Sequence, residues 1–120
     1  MKNFQDLFVW KKSFELGKRI YLLSSKFPKY ETYGLTAQIK RASISISSNI
    51  AEGCGRKTQK EFLQFLHNSF GSLKEVECQL MFARDFKYIL IEEFDDIFND
   101  CKMLSRMLGS LIVKIRKEIS

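Results

Sequence analysis

The sequence predicts an all-α chain folded as an antiparallel, up-down-up-down four-helix bundle. Three observations lead there. Four long stretches carry apolar residues at helical spacing. The links between them are short, which makes consecutive helices antiparallel neighbours. A single Pro and six Gly are too few for the many turns of a sandwich or barrel. At 120 residues, 45% of them hydrophobic, the chain reads as one folded domain over 1–120 with a sizeable core. Eleven Phe point to a well-filled interior or a buried interface.

The first helix is expected over about 6–26. Leu7, Trp10, Phe14, Gly17 and Tyr21 form one stripe, and Val9, Leu16, Ile20, Leu23 and Phe27 form another beside it. Together they cover more than half the circumference, whereas a bundle helix needs a stripe of roughly 100°. The surplus predicts a second buried contact, with a further helix or another subunit. Pro28 ends the segment, because the residue before a proline disfavours α geometry. The second helix is expected over about 34–52, with Leu35, Ile39, Ala42, Ile46, Asn49 and Ile50 on one face. Ser43, Ser45, Ser47 and Ser48 are mediocre helix formers that keep it slim, so another helix is expected to approach closely.

The third helix is expected over about 59–86. Phe62, Leu66, Ser69, Leu73, Val76, Leu80 and Ala83 keep a heptad repeat, and Thr58 to Glu61 reads as a capping box. The fourth is expected over about 91–119, along a seam of Ile97, Cys101, Leu104, Leu108, Leu111 and Ile115. Glu92, Glu93, Asp95 and Asp96 suit its positive N-terminus, and Lys114, Arg116 and Lys117 its negative C-terminus.

The net charge of +6 is unevenly spread: residues 1–60 carry +8 and residues 61–120 carry −2. Either one surface attracts phosphates or the halves complement each other. Cys54, Cys78 and Cys101 lack C-x-x-C spacing and are odd in number, so they read as reduced thiols of a cytoplasmic protein. The opening residues have no signal-peptide pattern, and no stretch reaches membrane-spanning length. No metal site or cofactor is expected. One histidine, His67, makes no two-His ligand set and has no nearby acid in sequence. Glu75 and Glu77, two apart, do not share a helix face.

The candidate nucleic-acid-binding residues are Lys40, Arg41, Arg56, Lys57 and Lys60, around the second helix and its exit. They suit phosphate neutralisation, with a solvated face and a Glu52–Arg56 pair one turn apart as the competing reading. Lys11, Lys12, Lys18 and Arg19 on the first helix read as a solubility face with little aromatic interleaving, so base stacking is not expected there. Asn49 and Glu52, on a largely apolar helix, are candidates for buried hydrogen bonds at a helix end or subunit contact. Gly53 and Gly55 read as a helix terminus, without the strand or Gly-Lys-Ser/Thr of a phosphate loop.

Several strings together resemble a known family. They are Phe4-Gln5-Asp6-Leu7 with Val9-Trp10, Phe27-Pro28, Tyr33 to Ala42, Ser48-Asn49-Ile50-Ala51-Glu52-Gly53 with Gly55-Arg56, and Glu61-Phe62 with Gly71-Ser72-Leu73 and Glu75. The chain is similar to the four-helix-bundle proteins encoded within intervening sequences of bacterial 23S ribosomal RNA genes. The resemblance covers nearly the whole chain. It departs at Ser47, where many relatives have proline, and at Leu90, near the place where a Ser or Thr usually caps the last helix. It implies a small cytoplasmic bundle assembled as a homopentamer. The accessory proteins of diversity-generating retroelements look similar and imply a basic ring that binds nucleic acid and a protein partner.

The expectation is therefore a non-enzymatic homo-oligomer whose basic surface contacts RNA or another nucleic acid. A protein-interaction adaptor is the alternative. An enzyme built on Asn49 and Glu52 ranks last.

Overall fold

A computed structural model of the chain describes residues 3–120. Four helices account for most of it: α1 (Phe8–Ser24), α2 (Leu35–Cys54), α3 (Gln59–Asp85) and α4 (Ile91–Ile119). Short 3-10 turns at Phe4–Asp6 and Lys29–Glu31 precede α1 and α2. No strand occurs among the described residues, and the chain is the all-α four-helix bundle expected.

Named contacts give the order of packing. Lys40 lies over Tyr21, and Gly17 faces the Ser43 carbonyl, so α2 runs back along α1. Arg41 meets Glu75 and Ser69 meets Ile46, so α3 runs back along α2. Lys74 meets Ser105 and Gln59 meets Glu118, which reverses α4 on α3. Arg19 meets Asp96 and closes α1 on α4. The core is the shared inner side of this square. All seven heptad positions of α3, from Phe62 to Ala83, are buried there beside Ile20, Ile39, Ile46, Ile50, Leu104 and Leu108.

Helix ends follow local chemistry. α1 stops at Ser24 rather than Lys26. Phe27 donates its N–H to the Ser24 carbonyl at 3.1 Å as the chain tightens ahead of Pro28. The serines of α2 work as expected on the α1 side. Ser43 and Ser47 are buried, each hydroxyl donating to the carbonyl three residues back. A Cβ on Gly17 would come within 3.6 Å of the Ser43 carbonyl oxygen. α2 continues without interruption through Ser47.

α3 opens on Thr58, whose hydroxyl oxygen accepts the Glu61 N–H at 3.1 Å. Glu61 reaches back to that hydroxyl rather than to the backbone. α3 closes with a Schellman turn: Tyr88 N–H donates to Ala83 O at 2.9 Å and Lys87 N–H to Arg84 O at 3.0 Å, with Lys87 left-handed at φ 63°. Leu90 offers no side-chain cap, but the Glu93 carboxylate accepts its N–H at 2.9 Å, so the start of α4 is held.

Candidate nucleic-acid interface

The α2–α3 turn and the C-terminal turns of α4 lie at the same end of the bundle. This follows from antiparallel pairing and is marked by the Gln59–Glu118 contact at 3.0 Å. The turn supplies Arg56 and Lys57, the start of α3 supplies Lys60, and α4 supplies Lys114, Arg116 and Lys117. Facing them at this end are Glu52, Glu61 and Glu118. Arg56 reaches Glu52 at 3.7 Å, the pair expected one turn apart, and its guanidinium also covers the Phe65 ring at 4.7 Å. Arg116 Nη2 lies 3.4 Å from His67 Nε2 on the exposed side of α3. Lys57, Lys60, Lys114 and Lys117 form no ion pair among the described residues.

Sequence reasoning assigned Lys114, Arg116 and Lys117 to the helix dipole alone. Only the return of α4 along α3 brings them to the α2–α3 turn. Conversely, Lys40 and Arg41 do not belong to this group. At a rise of about 1.5 Å per residue, Lys40 stands about 24 Å from Arg56 along α2. The Lys40 ammonium sits 4.9 Å from the Tyr21 ring centroid, and Arg41 pairs with Glu75 at 3.1 Å. Both are engaged in holding α2 to its neighbours.

The packing candidates separate as well. Gly53 is buried where α2 crosses α3, and a Cβ there would fall 2.8 Å from Phe65 Cβ and 2.9 Å from Phe62 Cδ1. It is a close-approach glycine in the last turn of α2, while Gly55 is the C-cap. Asn49 is half-buried and donates to the Ser45 carbonyl at 2.8 Å, within its own helix. Glu52 is exposed in the single chain, so it makes no buried hydrogen bond within its own bundle.

Glu75 and Glu77 point to different neighbours: Glu75 meets Arg41 of α2, and Glu77 meets Lys74, which also reaches Ser105 of α4. Among the described residues no group of three His, Cys, Asp or Glu is placed to hold a metal ion. The three cysteines are free. Burial raises the Cys54 thiol, and burial first, with the Glu77 charge second, pushes Cys101 to about 12. Both thiols stay largely protonated near neutrality, which slows their reaction with electrophiles.

A second surface differs from its sequence reading. On α1 and α2, Phe8, Phe14, Tyr21, Leu22 and Ile44 are exposed, with Leu22 74% accessible. Lys12 lies over Phe8, Lys18 over Phe14 and Lys40 over Tyr21. Aromatic and basic residues therefore do interleave here. Arg19 is taken up by Asp96 and Asp100, and Lys18 also pairs with Glu15 at 2.8 Å. Phe14, Gly17, Tyr21, Leu22 and Ile44 wall an apolar groove of about 560 Å³ between the two helices. The surplus arc of α1 is thus open in the single chain. No helix among the described residues is long and apolar enough to cross a membrane.

Comparison with known proteins agrees with this architecture. A crystal structure of a protein of unknown function from the S23 ribosomal protein family of Bacteroides thetaiotaomicron superposes with a TM-score of 0.81. The two are 28% identical, and the match covers 87% of this chain and 97% of that one. No curated protein matches the chain. Residues 5–110 match the family described as 23S rRNA-intervening sequence protein, and the chain belongs to that family.

Proposed function

We propose that this chain is the non-enzymatic subunit of a cytoplasmic homo-oligomer that holds RNA by phosphate contacts at the basic end of each bundle. The observation that carries the reading is the convergence of Arg56, Lys57 and Lys60 with Lys114, Arg116 and Lys117, four of them lysines without an ion pair among the described residues. Cations released from intramolecular pairing neutralise phosphates without first losing a partner, and each displaces a condensed counterion. The buried, protonated thiols Cys54 and Cys101 and the exposed, ion-paired Glu52 support a binding role over catalysis.

The α1–α2 groove supports self-association. Its apolar walls and the small residues Gly17, Ser47 and Ser48 suit a helix of a second copy. The pentameric number rests on the family resemblance. A ring repeats the basic end around an axis and multiplies a weak contact. The exposed Phe8, Phe14 and Leu22 also favour a second reading, in which the same groove docks a different protein and no RNA is bound.

Fluorescence anisotropy of nuclease-treated protein with a labelled structured RNA, across a salt series, tests the function. Binding that weakens linearly in log salt is expected, with a slope of about −0.7 to −0.9 per phosphate contact. Arg56→Glu combined with Lys57→Glu lowers affinity at least tenfold and shallows the slope. Unchanged affinity in a folded double variant, or no binding at low salt, overturns the RNA reading. Light scattering on Leu22→Glu tests the groove: a monomer is expected, and an unchanged oligomer removes the groove from the interface.

A further inference from the structure

We infer that a cavity at the basic end takes one unpaired nucleotide of the RNA, base inward and phosphate outward. This rests on the RNA reading above and adds which part of the RNA is read. The cavity is about 440 Å³, within the roughly 300–1,000 Å³ range of small-ligand sites. Leu7, Phe62, Leu111 and Ile115 give it apolar walls, and Lys57 from the α2–α3 turn and Lys114 from α4 supply positive charge. Neither lysine has an ion pair among the described residues. An occupant therefore combines an apolar body with an anion.

Gln59 narrows the choice. It lines the cavity, its Nε2 donates to Glu118 Oε1 at 3.0 Å, and its Oε1 is buried without a donor. A buried acceptor left unmet is costly, so this amide is a group in want of a partner. Turning it about its last torsion exchanges the Glu118 contact for a donor and an acceptor presented side by side, the pattern that the edge of a base complements. An acyl-chain anion would satisfy the lysines and the apolar walls. It would offer no donor to the unmet Gln59 Oε1, whereas a base edge supplies one. Paired bases in a duplex are stacked and cannot enter, whereas a looped or bulged base can be splayed out.

The test compares a hairpin RNA with the same hairpin carrying one bulged nucleotide, by anisotropy at fixed salt, for the wild-type protein and Leu111→Trp. The bulged RNA is expected to bind the wild type at least tenfold tighter. Leu111→Trp, which fills the cavity, is expected to erase that advantage while leaving the plain hairpin within twofold. Equal affinity of the wild type for both RNAs overturns the cavity and leaves the phosphate reading standing. No binding of either overturns both.

A second measurement does not depend on how well the tryptophan variant packs. Cys54 lines the cavity, so its alkylation by N-ethylmaleimide, followed in a Cys78→Ser background, reports occupancy. Bulged RNA is expected to slow that alkylation at least fivefold. Absence of protection by the bulged RNA, or protection by decanoate alone, overturns the inference.

Discussion

The two ends of the bundle carry similar residues and use them differently. At the end formed by the α1–α2 and α3–α4 links, several charges find partners across helices, although Lys29 and Lys87 form no ion pair among the described residues. Lys26 meets Glu93, and Arg19, a little further in, meets both Asp96 and Asp100. Tyr88 donates to Glu31 at 2.7 Å, Tyr30 lies 3.2 Å from Tyr88, and Glu31 also accepts the Leu35 N–H at 3.0 Å. That network ties one link to the other. At the opposite end the acids are fewer, and Lys57, Lys60, Lys114 and Lys117 stay unpaired among the described residues. Charge matched within the chain organises the fold; charge left unmatched is available to something else.

Breaking the geometry of the basic end has the largest expected effect. Gly53→Leu drives a side chain into Phe62 and Phe65, and overpacking of this kind costs about 1–3 kcal/mol. A lower urea midpoint with an unchanged slope checks it. Lys114→Glu with Lys117→Glu comes next. RNA affinity is expected to fall about tenfold, close to 1.4 kcal/mol, while the urea midpoint falls less than in Gly53→Leu, by the loss of favourable charge at the α4 C-terminus. A fall comparable to that of Gly53→Leu would mean that these lysines serve the fold.

The paired end responds to pH. The Lys26 ammonium first, and the Leu90 N–H second, hold Glu93 below the usual carboxylate range. The Leu35 N–H, then the Tyr88 hydroxyl, do the same for Glu31. A depressed carboxyl stabilises the fold above its unfolded value of about 4.3, and that stability is lost as pH falls through the folded value. Thermal melts from pH 6 to pH 2 should therefore drop, and Glu31→Gln with Glu93→Gln should flatten the drop. Tyr88→Phe is expected to have the smallest effect at neutral pH. Tyr30 first, and Glu31 second, raise the Tyr88 hydroxyl, so its contribution is present below about pH 10 and is lost only as pH rises further. A melt series at alkaline pH isolates it.

The helices were legible because burial writes its period into the sequence. Phe62, Leu66, Ser69 and Leu73 recur every three or four residues, and all are buried. The helix ends at Thr58 and Pro28 were legible for local steric and hydrogen-bonding reasons. The candidate site was half legible. Arg56, Lys57 and Lys60 lie together in sequence and in space, whereas Lys114 reaches Lys57 only through long-range closure of the bundle. Lys40 and Arg41 misled because nearness in sequence was read as a cluster, while a helix carries its residues steadily apart. The wide arc of α1 announced surplus apolar surface. Which sector faced water depended on where α2 and α4 dock, and periodicity alone does not contain that.

The bundle is 46 Å long and 23 × 21 Å across, with Lys57, Lys60, Lys114 and Lys117 gathered at one tip and Glu92, Glu93, Asp95 and Asp96 near the other. Such a rod has a permanent electric moment along its long axis. In the field of a polyanion it experiences a torque before any contact forms, and the basic tip turns to lead. Diffusional encounters are thereby sorted by orientation, a gain that appears in the association rate and fades as salt shortens the screening length.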